Sequence, residues 1–334
     1  MDLLPNEDQQ QFAEVAGDYL ERELPVGRMR RAAADGATET RAAADMGWLG
    51  VAVSEAVGGA GMSVADELLI YREAGKRLLS PTVLATALAA GLVADAGLGE
   101  LARGFLGGQA AAFAHPLERQ RAGAPHGAYL LIDGARAEHA LLWSIDGLQL
   151  WRAPRGGGRT PAVCIDESLV CERVALDQAE LVAEAGPLGA AAQRARILTA
   201  GMLVGMAQAT CGMAGEYAKM REQFGKPIGA FQAIKHKCAD MVVRAESAQA
   251  QAIFAAAAAA GGRQDADFHS IAAKIVATRA AIQNARSNIQ VHGAMGFTVE
   301  CDAHWFVKRA HVLDQLGGPT RQQQQLLLQC PGSL

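Results

Sequence analysis

The sequence predicts a mainly α-helical protein with a small central β unit, and three observations predict it. Apolar residues recur with helical spacing through the first hundred or so positions. Near Gly107 the pattern gives way to short apolar runs broken by Gly, Pro and Asp, the mark of strands and turns. Beyond Gly186 long helical periodicity returns and persists. The expected organisation is an N-terminal all-α domain (1–106), a shortened middle β-domain (107–185) and a C-terminal four-helix bundle (186–334).

In the first segment Phe12, Val15, Ala16, Tyr19 and Leu20 fall on one helical face, and Asn6 with Gln9 three residues on fits a capping box. A second helix is expected from Thr40 to Met46, stopping at Gly47. The loop VAVSEAVGGAGMS follows, with Gly58 and Gly59, and then helices over Val64–Arg77 and Pro81–Ala96. In the middle segment AAAFA, YLLI, ALLWSI, LQLW, AVCI and LVCERVAL read as strands of an antiparallel unit, roughly 75 residues long and short for a sheet. Gly156 to Gly158 read as a hairpin tip and not a phosphate cradle, since no strand-to-helix unit follows. Helices are expected over 193–220, 230–260 and 265–291, with stops at Gly261, Gly262 and Gly293. In the third, Phe268, Ile275, Ile282 and Ile289 recur every seven residues beside Ile271, giving a narrow apolar seam. The alanines from Ala255 to Ala260 suit close helix packing.

Half of the 334 residues are hydrophobic and the net charge is −4, enough for a sizeable core and two or three domains. No basic cluster suits nucleic acid. The N-terminus lacks a signal pattern, and the longest uncharged apolar stretch, taken as Val83 to Ala94, falls short of the ~20 residues that span a bilayer. The expectation is therefore a cytoplasmic chain with no membrane insertion. The six cysteines form no C-x-x-C pair and the histidines show no metal spacing, so they read as reduced thiols with no metal site.

Two segments carry a resemblance. REQFGKPIGAFQAIKHKCADM, Arg221 to Met241, is similar to the R-x-x-F-G-x-P-I-x-x-F-Q stretch of the acyl-CoA dehydrogenase family. QVHGAMGFTVECDAHWFVKRA, Gln290 to Ala310, resembles that family's Q-x-x-G-x-x-G-F/Y-x-x-E stretch. A weaker likeness lies in GWLGVAVSEAVGGAGMSVADELLIYREAG, similar to the N-terminal domain's Gly-Gly loop and helix. The resemblance implies removal of an acyl-CoA α-proton by a carboxylate and hydride transfer from the β-carbon to FAD. It also implies that the Arg-x-x-Phe-Gly and Gln-x-x-Gly segments touch the ADP half of an FAD held mainly by a neighbouring subunit. Residue by residue, this assigns Arg221, Gln223, Phe224, Gly225, Phe231, Gln232, Gln290, Val291, His292 and Gly293 to cofactor binding. The chemistry suits them. Arg221 offers planar donors for a pyrophosphate, Phe224 an apolar face, the glutamines hydrogen bonds to ribose or adenine, and Gly293 a close backbone approach. Taken singly, Arg221 is a solvated helix-end charge, Phe224 ordinary core and His292 a packed side chain.

The same resemblance exposes departures. The family's base sits either in a Y-E-G-T-like stretch near the C-terminus or just before an arginine of the first bundle helix. Here the first place holds Gly317 and Gly318, and the second holds Ala195 before Arg196. The T-E-P-x-x-G-S-D stretch is reduced to AHPLERQ around Pro116, and Trp143-Ser144 matches the W-I-T/S strand poorly. These absences point to a non-catalytic subunit, in an α2β2 assembly with a full-length acyl-CoA dehydrogenase subunit. Its substrate would be a bulky CoA thioester, such as a product of steroid side-chain degradation, and electron-transferring flavoprotein the usual acceptor. Two other readings stand beside it. One is a self-sufficient homomeric dehydrogenase with a displaced base, for which Asp314 is the best stand-in, Glu300 being structural and Glu216 solvated. The other is a non-enzymatic CoA-ester-binding or scaffold protein.

Overall fold

A computed structural model describes residues 3–30, 36–118, 127–134, 137–153 and 158–330. Five helices open the chain: α1 (Glu7–Glu23), α2 (Gly36–Asp45), α3 (Val64–Lys76), α4 (Pro81–Asp95) and α5 (Gly99–Leu106). Asn6 and Gln9 exchange both capping-box bonds at the start of α1, and Ser63 with Asp66 does the same for α3. The buried face of α1 is Ala13, Ala16 and Leu20, with Phe12 and Tyr19 at its margins. Val15, expected on that face, is 54% exposed. One turn of ~100° per residue carries it past the stripe that meets α3.

Seven strands follow: β1 (Ala111–Pro116), β2 (Ala128–Ile132), β3 (His139–Ser144), β4 (Gly147–Arg152), β5 (Thr160–Ala162), β6 (Cys171–Ala175) and β7 (Glu180–Ala185). They form one sheet in the order β5-β6-β2-β1-β3-β4-β7. The sheet is thus fuller than its length suggested, and β1 pairs with β3 in parallel, Ala111 opposite His139, where only antiparallel pairing was expected. A parallel neighbour needs a crossover, and the β1–β2 hairpin lies on the far side of β1, which leaves this edge to β3. Gly156 and Gly157 of the expected hairpin tip, and Arg119 and Gln120 of AHPLERQ, lie outside the described residues.

The C-terminal part comprises α6 (Ala190–Met220), the two-residue strands β8 (Glu222–Gln223) and β9 (Lys226–Pro227), α7 (Gln232–Ala260), α8 (Ala266–His292), α9 (Ala303–Gln315) and α10 (Thr320–Leu327). Helix α8 packs against α6, α7, α9 and α10, so its buried surface is far broader than a heptad seam. Ile271, Ile275 and Ile289 are buried, but so are Ala273, Ala277, Ala281 and Ala285 on other faces. Helix α6 is uncharged from Ile197 to Gly215, longer than the stretch in α4, and is the one helix among the described residues long and apolar enough to cross a membrane. Most of its apolar window, 72%, is buried inside the protein, which marks a core helix. It meets α3 through glycine: a Cβ on Gly75 would overlap the Met202 carbonyl, and one on Gly205 the Arg72 carbonyl.

Candidate functional site

Helix α6 ends at Met220, and the chain reverses at once through the β8–β9 hairpin. Its turn is Phe224-Gly225, with φ of +53° and +75°. Two left-handed residues make a turn that matches strand twist, and glycine suits the second position. Phenylalanine does not suit the first: left-handed backbone costs a side-chain-bearing residue about 1–2 kcal/mol. The Phe224 ring is also 92% exposed, with the Phe231 ring edge-on to it at 6.1 Å between centroids. Lys226 Nζ lies 4.5 Å from the Phe231 ring. The Arg221 guanidinium at the hairpin's start is exposed and makes no hydrogen bond or ion pair among the described residues. Gln223 is exposed in the hairpin, and Gln232 is exposed as the first residue of α7.

The second motif ends α8. Gln290 and Gly293 are exposed, and Gly293 has φ +62° and ψ −138°, a region open to glycine. His292 stacks on Tyr217 of α6 at 4.1 Å, with Nδ1 2.9 Å from the Asn288 carbonyl. Val291 is buried with Ala214, Ala218 and Met241, so the motif reaches solvent at its neighbours Gln290 and Gly293 and not at Val291 itself. That apolar cluster, bordered by Tyr217, Ile228 and Ile234, joins the two motifs at one end of the bundle. Sequence spacing did not single out Tyr217, because nothing local marks the α8 contact that orients it.

The base positions lie in a different part of the fold. Ala195 is fully buried in α6. Gly317 and Gly318 have φ of +69° and +92° in the turn between α9 and α10. A Cβ on Gly317 would overlap the Trp143 indole, and the Gly317 N–H donates to the Trp143 carbonyl at 3.0 Å. A Cβ on Gly318 would come 2.7 Å from Gln322 Oε1. Trp143, a poor match to a flavin-cradling strand in sequence, thus fills the space beside Gly317. Below the turn, Lys274 Nζ donates to the carbonyls of Gly318 at 2.9 Å and Asp314 at 3.2 Å. Burial pushes Lys274 down to about 7; Asp314 opposes that shift and Arg196 adds to it. The Asp314 carboxylate accepts from Thr320 N at 3.0 Å and Thr320 Oγ1 at 2.7 Å, bonds that fix the start of α10. Glu216 is exposed and pairs with Lys219 at 2.7 Å. Glu300 is exposed, its carboxylate drawn down by its own backbone N–H and by Thr298.

Family models agree with the fold. The acyl-CoA dehydrogenase C-terminal domain model matches residues 189–329, and the N-terminal domain model matches residues 6–112. Acyl-CoA dehydrogenase IpdE2 of Mycobacterium tuberculosis is 30% identical over 324 residues, covering 94% of each chain. Acyl-CoA dehydrogenase FadE34 of the same organism is 36% identical over 307 residues, 83% of this chain but 40% of that protein's length. The chain therefore spans well under half of one of these relatives and nearly all of the other. Butyryl-CoA dehydrogenase from Megasphaera elsdenii shares the fold with a TM-score of 0.81 at 23% identity, over 98% of this chain and 99% of that one. The ChsE4–ChsE5 complex from M. tuberculosis gives 0.80 at 22% identity, over 99% and 100% of the two chains. With both motifs brought to one end of a bundle that these relatives share, the chain belongs to the acyl-CoA dehydrogenase family.

Proposed function

We propose that this chain is the accessory subunit of a heteromeric, FAD-dependent acyl-CoA dehydrogenase, an α2β2 assembly in which a full-length subunit supplies the base and most flavin contacts. The observation that supports this best is the Gly317–Gly318 turn. No carboxylate stands there, and the Trp143 indole occupies the space that a side chain at 317 would need. Ala195 leaves the alternative place empty as well. The homomeric reading finds less support, since its stand-in base Asp314 is engaged by Thr320.

The residues at the bundle end suit the ADP half of a flavin. Among the described residues the Arg221 guanidinium has no partner for its five N–H donors, and such a planar cation matches a pyrophosphate. Phe224, held exposed on strained backbone, offers a ring face to adenine or ribose, with Phe231 behind it. Gln223, Gln232 and Gln290 provide amide donors and acceptors, and the exposed Gly293 after His292 allows close backbone approach. FAD, when bound, supplies the hydride acceptor for α,β-dehydrogenation of a CoA thioester. In this reading the chain has three domains, 1–106, 107–185 and 186–334, a cytoplasmic location, and electron-transferring flavoprotein as acceptor. A bulky acyl group is favoured because one fold neighbour is described as a steroid acyl-CoA dehydrogenase, and the two-component ChsE4–ChsE5 complex accords with a heteromeric assembly.

The test is the visible spectrum of the purified chain, alone and co-expressed with a full-length homologue encoded beside it. The expected result is a colourless chain alone and bound FAD with the partner. A yellow chain that bleaches with acyl-CoA by itself would overturn the subunit reading, and absence of flavin in both preparations would favour a scaffold.

A further inference from the structure

Helix α8 carries polar side chains one turn apart on the face it turns to α6 and α7: Asn284, Asn288 and His292. The first two are fully buried. Asn284 Nδ2 donates to the carbonyls of Ala207 at 3.1 Å and Met241 at 2.8 Å, and its Oδ1 accepts from Arg244 Nε at 2.9 Å. Asn288 Nδ2 lies 3.8 Å from Met213 Sδ. These contacts pin the last turns of α8 against its neighbours. His292 ends the row, half-buried, its ring stacked on Tyr217 at 4.1 Å between centroids and 24° between planes. A carbonyl only accepts, so the 2.9 Å contact between Nδ1 and the Asn288 oxygen puts the ring proton on Nδ1.

In the neutral ring Nε2 is then a lone-pair acceptor, and it points away from the α8 turn that Nδ1 faces. Among the described residues it has no hydrogen-bond partner. The space past the end of α8 is open: Gly293 and Ala294 are exposed, and a Cβ on Gly293 would meet nothing within 4 Å. Arg221 stands at the same end of the bundle, its backbone N–H donating to the Tyr217 carbonyl at 2.9 Å. An acceptor gives nothing to a phosphate oxygen, which the Arg221 guanidinium suits, but it does select a hydroxyl. In the ADP half of FAD the ribose joins the pyrophosphate to adenine, so its hydroxyls are the donors nearest to a phosphate held by Arg221.

We propose that Tyr217 and His292 act as a pair on the cofactor: the stacked Tyr217 positions the imidazole, and His292 Nε2 accepts a hydrogen bond from a hydroxyl of the adenosine ribose. This rests on the flavin reading given above and adds to it a positioning residue, Tyr217, and a preference for ribose over deoxyribose. The bond requires the Nδ1–H tautomer, which the Asn288 carbonyl selects.

The experiment titrates FAD, and FAD analogues built on 2′-deoxyadenosine and 3′-deoxyadenosine, into the deflavinated co-expressed assembly, followed by flavin fluorescence. At least one analogue is expected to bind about tenfold more weakly than FAD, the effect of one lost hydrogen bond. His292→Phe keeps an aromatic ring against Tyr217 and removes Nε2. It is expected to bind FAD about tenfold more weakly and to bind that analogue no worse than FAD. Tyr217→Leu releases the imidazole and is expected to weaken FAD binding in the native background but to add nothing to His292→Phe, a non-additivity that two separate packing losses would not give. Thermal unfolding of each variant chain alone records packing losses separately. If His292→Phe does not fold, the native assembly with the three dinucleotides decides the matter. Native-like FAD affinity in His292→Phe, additive losses in the double variant, or equal affinity of the native assembly for all three dinucleotides would overturn the proposal and leave the flavin reading standing. An assembly that binds none of the three would overturn both.

Discussion

Asp133 shows how one residue can hold charge, strain and position at once. It follows β2 in left-handed backbone, φ +54°, a conformation that Asp and Asn tolerate. Its carboxyl accepts from the Ser80 hydroxyl and, at 3.2 Å, from the Val170 N–H. Burial pushes it up to about 6, against the pull of Ser80 and Arg309. The folded protein therefore prefers Asp133 protonated, and the unfolded chain does not. Its stabilising contribution is present below about pH 4 and lost as pH rises through 6. Asp133→Asn keeps the backbone preference and the bond from the Val170 N–H, reverses the bond with Ser80 so that the amide donates to the hydroxyl oxygen, and removes the titration. Its stability relative to the native chain should improve steadily between pH 4 and 7. Urea denaturation across that range tests it, and a constant difference would refute the assignment.

At the scale of the element, the β8–β9 hairpin combines a favourable turn with an unfavourable residue. Glycine at 225 fits the left-handed second position, but phenylalanine at 224 is strained and solvent-exposed. Among the described residues the ring contact that could offset this strain is the edge-on Phe231, which leaves Phe224 92% exposed. Phe224→Gly should raise stability by about 1 kcal/mol, by analogy with the left-handed cost of a side chain. In the co-expressed assembly the same substitution should lower retained FAD if the ring serves the cofactor. Denaturation and the 450-nm absorbance of the complex read the two effects separately. Full flavin occupancy together with the stability gain would leave Phe224 without a cofactor role.

Across the whole molecule, one buried arginine ties α9, the β5–β6 loop and the turn after α3 together. Arg309 of α9 binds Asp166 of the β5–β6 loop at 2.6 Å and Ser168 Oγ at 3.0 Å. It also donates to the Leu78 and Leu79 carbonyls after α3, at 2.9 and 3.0 Å. Arg28 donates to the same Leu78 carbonyl at 3.2 Å, and Leu78 itself has φ +54°. A turn unfavourable for leucine is thus held from two sides. Both Arg309 and Asp166 are essentially inaccessible. Removing one member strands the other's charge, so Arg309→Met should cost about 3–5 kcal/mol. Arg309→Met with Asp166→Asn should recover part of it. A loss below about 1 kcal/mol in the single variant would show that the pair is dispensable.

The sequence by itself determined the features that rest on local chemistry. Capping at Asn6, the course of α3 and α4, and the three long bundle helices follow from hydrogen bonds and apolar spacing within a few residues. The two motifs and the missing carboxylates at Ala195, Gly317 and Gly318 are also legible as residue identities. Tertiary structure alone decided what depends on neighbours distant in sequence. Val15 faces solvent because α3 meets the adjacent stripe of α1. β1 pairs in parallel with β3 because β2 takes its other edge. Most of all, the glycines at 317 and 318 read as a simple absence until Trp143, far away along the chain, is seen filling the space beside Gly317. The physical reason is the same in each case: local bonds are specified by spacing along the chain, whereas burial, charge compensation and the closing of a pocket depend on packing between elements that sequence order leaves far apart.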